Sequence, residues 1–90
     1  MTELPSPRSE FVDELLRDIV ASMVEIFNVS EQEATGRTAW EFQEMNLTDE
    51  FTGNYIGHAD PEFWAKSIYY GPSVDWWNRD ENQLEPRPWS

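Results

Sequence analysis

Residues 11–27 read FVDELLRDIVASMVEIF. Phe11, Leu15, Ile19, Met23 and Phe27 recur every four positions, with Val12, Leu16, Val20 and Val24 beside them. At about 3.6 residues per turn these two rows merge into one broad apolar stripe. Glu10, Asp13, Glu14, Arg17, Asp18 and Glu25 take the opposite side. The pattern predicts a core helix over 9–27. Its cap is either Ser9 or Ser6, the latter with Pro7 at the first helical position. Residues 1–8, with two prolines, read as a flexible lead-in.

Beyond this helix, Ser30-Glu31-Gln32-Glu33 has capping-box spacing. Ser30 is expected to accept from the Glu33 N–H while the Glu33 side chain reaches back. The second helix is expected over 31–45, with a weaker core face of Ala34, Thr38, Phe42 and Met45. Gly36 within it implies local fraying or the close approach of another helix. Residues 46–59 read as a connector with two glycines, in which 48–51 begin a single turn at most. Asp60-Pro61-Glu62 opens a third helix over 61–70, with Gly71-Pro72 as its stop. Residues 78–90 are polar and proline-bearing and read as a loosely tethered tail. The expectation is one all-α domain of three helices with an aromatic C-terminal segment packed on them or projecting.

Composition sets the boundaries. The chain has 90 residues, 18 Asp plus Glu against 6 Lys plus Arg, and a formal net charge of −12. Without cysteine it has no disulfide, thiolate metal site or thiol nucleophile. With 39% hydrophobic and 14% aromatic residues it is too apolar for a solvated coil. No apolar run approaches the roughly 18 residues of a membrane span, and the start lacks the pattern of a secretory signal. A cytoplasmic protein is expected. Its charge repels nucleic acid and anionic membrane surfaces and attracts a basic partner.

Motifs for chemistry are sparse. His58 has no cysteine partner, and Asp60, two residues on, already serves as a helix cap. No calcium loop, Glu-x-x-His pair or phosphate loop occurs, so neither enzyme activity nor a cofactor is expected.

Aromatic residues are more informative. Seven of them, Tyr55, Phe63, Trp64, Tyr69, Tyr70, Trp76 and Trp77, lie between 55 and 77. On the third helix Trp64, Ala65, Ile68 and Tyr69 share a core arc, whereas Phe63 and Tyr70 lie on the far side. Either Trp76, Trp77 or the tail folds back over Phe63 and Tyr70, or these rings form an exposed patch rimmed by Glu62 and Asp75. Tyrosine and tryptophan are the residue types that anchor interfaces. Trp40, off the core face of the second helix beside Glu41 and Glu44, is a further candidate anchor.

Two stretches carry a resemblance. Ser30-Glu31-Gln32-Glu33 leads into an acidic helix ending Glu44-Met45, and Ile68-Tyr69-Tyr70 closes a short helix before Gly71-Pro72. Together they resemble the small acidic immunity proteins that neutralise colicin-type nucleases. The resemblance implies that Glu31, Glu33, Glu41 and Glu44 face a basic partner and that Tyr69 and Tyr70 form its anchor.

These readings converge on a small acidic protein-binding module, of inhibitor or immunity type, that neutralises a basic protein. Its candidate contact residues are Tyr70, Tyr69, Phe63, Trp76, Trp77, Trp40, Glu41 and Glu44. The alternative is a homo-oligomeric, for instance dimeric, structural protein whose aromatics are internal.

Overall fold

Ser9 starts the first helix, α1 (Glu10–Phe27): its hydroxyl accepts from the Val12 N–H at 3.2 Å. Asn28 ends α1 in the left-handed region, φ 55°, a conformation asparagine tolerates better than most residues. The computed structural model describes residues 4, 7–43, 45–71, 76–78 and 84–86. Among them are four α-helices and no strand: α1, α2 (Glu31–Phe42), α3 (Glu50–Gly57) and α4 (Pro61–Tyr70), followed by a 3₁₀ turn at Trp76–Asn78. The all-α class therefore holds, with one helix more than the sequence pattern predicts.

α1 is the axis of the fold, packing against α2, α3 and α4, while α2 also touches α4. Its stripe supplies Val12, Leu16, Ile19, Val20 and Met23 to the core. Ala34 and Phe42 from α2, Ile56 from α3, and Trp64, Ala65 and Ile68 from α4 complete it, together with Leu47. Phe11, the first residue of the stripe, is the exception at 54% exposed.

α2 begins as expected, with Ser30 Oγ accepting from the Glu33 N–H at 3.0 Å. The reciprocal half of the capping box does not form, because Glu33 Oε2 accepts from Arg37 Nε at 2.9 Å instead. Gly36 is buried in mid-helix, so it marks packing rather than fraying. The helix stops at Phe42, short of the predicted Met45. Beyond it the Asn46 side-chain oxygen accepts from the Thr48 N–H and hydroxyl, folding a turn in which Leu47 is buried in the core. The Leu47 carbonyl then accepts from the Ser9 N–H at 3.0 Å, tying this turn to the start of α1.

α3 corrects the reading of 46–59 as a connector. Asp49 caps it, accepting from the Phe51 N–H at 3.2 Å. Gly53 and Gly57, the two glycines of the expected connector, form the face that meets α1. A Cβ at Gly53 would sit 3.1 Å from a Phe11 ring carbon, and one at Gly57 would sit 3.4 Å from the same ring and 3.6 Å from Leu15. Packing in this groove offsets the helix propensity that two glycines forfeit.

α4 matches its predicted bounds. Asp60 holds the extended N-cap conformation before Pro61, and its carbonyl accepts from the Trp64 N–H. Its side chain, contrary to expectation, makes no capping bond. Gly71 closes the helix at φ 110°, where a side chain would be strained. The reading of 78–90 as a tail falls outside the described residues except at 78 and 84–86, and that of 1–8 except at 4, 7 and 8.

Candidate protein-binding surface

Rings from α3, α4 and the 3₁₀ turn form one connected series. Tyr55 lies 5.4 Å from the His58 ring and 5.5 Å from Trp64. Trp64 neighbours Phe63 at 6.1 Å, Phe63 meets Trp76 at 5.7 Å, and Trp76 meets Trp77 at 5.6 Å. Only Trp64 of this series is buried, with its indole N–H donating to the Ile56 carbonyl at 2.6 Å. That carbonyl is one of those a helix leaves without a partner in its last turn.

Trp76 fixes the position of the turn. Its indole N–H donates to Ser67 Oγ at 3.3 Å, and Lys66 Nζ lies 5.2 Å from its ring centroid. Trp76 therefore lies back over Phe63, one of the two arrangements the sequence leaves open. Tyr70 is covered differently, by the edge of Phe27 at 5.3 Å. Trp77 projects outward, 61% exposed.

Tyr69 and Tyr70 belong to a second, separate cluster. Tyr69 is half-buried and stacked on Phe27 at 3.8 Å, with the Arg37 guanidinium 4.8 Å from its ring centroid. Both tyrosines thus join α4 to α1, and Tyr69 also meets α2. On α2, Trp40 is exposed and Glu41 half-buried. Glu44 and Asp75 lie outside the described residues. Of the predicted contact residues, Phe63, Trp76 and Trp77 come together, and Tyr69 and Tyr70 pair elsewhere.

The sequence reading missed Phe51 and left Tyr55 without a role. Phe51 is 78% exposed, and Tyr55, one turn later on α3, is exposed beside it. Their spacing of four was the available signal, but it carries meaning only once 50–57 is known to be helical.

Electrostatics set this surface apart. Among the described residues every Lys and Arg is committed to a carboxylate of the chain: Arg8 and Arg17 to Asp13, Arg37 to Glu33, and Lys66 to Glu62. Hydrogen bonds from Arg17 and then Arg8 hold the Asp13 carboxyl below its ordinary pKa. Glu14, Asp18, Glu25, Glu31, Glu50 and Asp60 are exposed and pair with no Lys or Arg among the described residues. His58 is exposed, and its Nδ1 contacts the Tyr55 carbonyl oxygen. Among the described residues no group of three His, Asp or Glu side chains is placed to hold a metal ion. No described helix is long and apolar enough to cross a membrane.

Comparison of the chain with protein-family models, curated proteins and solved structures finds no match.

Proposed function

We propose that this chain is a small acidic protein-binding module that docks on a basic protein, as an inhibitor or immunity-type protein does. One observation carries the reading: the described Lys and Arg side chains are all engaged internally, leaving exposed carboxylates beside exposed rings. A surface so arranged attracts cations. The negative field steers a basic partner in, and burial of rings such as Phe63 and Trp77 then slows its departure. No catalytic step is assigned to the chain.

Salt tests the reading. A basic protein recovered with this chain at low salt, and identified, is expected to associate roughly tenfold more slowly at about 0.5 M than at about 0.05 M ionic strength. Association and affinity indifferent to salt would sink the proposal.

Self-association is the second reading, favoured by the exposure of Phe51, a ring that a second copy would cover. Analytical ultracentrifugation separates the two: a monomer at all concentrations supports a hetero-partner, and a concentration-dependent dimer supports self-assembly.

A further inference from the structure

The fold uses one recognition device twice on its own cations. Arg37 sits 4.8 Å from the Tyr69 ring centroid while bonded to Glu33 at 2.9 Å. Lys66 sits 5.2 Å from the Trp76 ring centroid while paired with Glu62 at 3.5 Å. In each case a cation lies over an aromatic face and is also held by a carboxylate on its own helix. The ring quadrupole and the carboxylate reinforce one another.

Outside the core the same two ingredients recur without a cation among the described residues. Phe51 and Tyr55 are exposed on α3, whose first residue is Glu50. Phe63 and Trp77 are exposed along α4 and the 3₁₀ turn, with Asp60 at the N-cap of α4. Glu50 and Asp60 are themselves exposed and pair with no Lys or Arg among the described residues.

We propose that the ridge of Phe51, Tyr55, Phe63 and Trp77 is the docking surface for an arginine-rich segment of the basic partner. The proposal rests on the reading of the chain as an acidic binding module and adds the face and the partner's chemistry. Arginine fits better than lysine, because its planar guanidinium stacks on rings, sheds water more readily and forks onto carboxylates. A second copy fits worse: it brings another −12 of charge and no uncommitted Lys or Arg from the described residues. α2 offers a single exposed ring, Trp40.

Fluorescence anisotropy with labelled nona-arginine and nona-lysine peptides at one fixed ionic strength tests this. Nona-arginine is expected to bind at least about threefold tighter than nona-lysine, since each ring contact adds to the shared charge attraction. Phe51→Ser and Trp77→Ala, separately, are expected to reduce nona-arginine affinity at least about threefold while barely changing nona-lysine binding. Both rings are largely exposed, and circular dichroism and thermal unfolding verify that each variant folds. A charge-matched pair locates the carboxylates: Glu50→Gln with Asp60→Asn should weaken binding more than Glu25→Gln with Glu31→Gln, exposed where α1 gives way to α2. Equal affinities for the two peptides, or ring variants that bind like wild type, overturn the ridge and leave the acidic-module reading standing. Absence of salt-sensitive binding to either peptide overturns both. A dimer that Phe51→Ser dissociates assigns the ridge to a second copy and likewise overturns the proposal.

Discussion

The Trp64 indole N–H donates to the Ile56 carbonyl across 2.6 Å, joining the first turn of α4 to the last turn of α3. Both partners are buried, so no solvent replaces the bond when it is lost. Trp64→Phe keeps most of the ring volume but removes the donor. The cost is expected at about 1–3 kcal/mol. Thermal unfolding should show a drop of roughly 4–8 °C per kcal/mol for a domain of this size.

Gly53 sets how closely α3 approaches α1. An alanine there gains up to about 1 kcal/mol of helix propensity but presses on Phe11. Because Phe11 is more than half exposed, its ring can yield, and Gly53→Ala should be close to neutral. Gly53→Val has no such escape and should destabilise by about 1–3 kcal/mol in urea titrations.

Arg37 is 7% exposed and bridges Glu33 and Tyr69. Arg37→Ala strands the Glu33 carboxylate and bares the Tyr69 ring. Glu33 is itself partly solvated, which moderates the loss to about 1–3 kcal/mol. Arg37→Lys keeps the charge without the planar fork and should fall between alanine and wild type. Denaturant midpoints for the three proteins check the order.

Acid should erase the contribution of Asp13. Its folded pKa lies below the ordinary aspartate value, so the bonds from Arg17 and Arg8 stabilise the fold above that range. The stability is lost as pH falls through the depressed value. Asp13→Asn should therefore melt below wild type at pH 7, and the gap should close toward pH 2. A gap that persists at pH 2 would assign Asp13 a role other than its charge.

Signals local to one segment were legible in the sequence. The stripe of α1, the Ser30 cap and the Asp60-Pro61 start each depend on residues within a turn or two of one another, and the structure starts all three helices where they were read, although the Asp60 side chain makes no capping bond and Phe11 is exposed. Signals that depend on a distant partner were not. Gly53 and Gly57 read as part of a connector because their reason, the Phe11 ring, lies some forty residues away in the chain. Phe11 looked like core for the complementary reason: the helix facing it offers glycines, which bring no side chain to cover it. Glu33 was expected to reach back to the cap, but Arg37 four residues on competes for it and brings a charge. At the candidate site, Phe63, Trp76 and Trp77 could be nominated by residue type. Phe51 could not, since its relation to Tyr55 exists only in a helical 50–57.

α3 has eight residues, two of them glycines, and holds together chiefly through what it leans on. Its amides should accordingly exchange hydrogen soonest among the four helices, opening while α1 remains protected. Phe51 and Tyr55 ride on that one element, so they are displayed or withdrawn together. The lifetime of a short helix, read as an exchange rate, thus limits how long half of the ridge stays assembled.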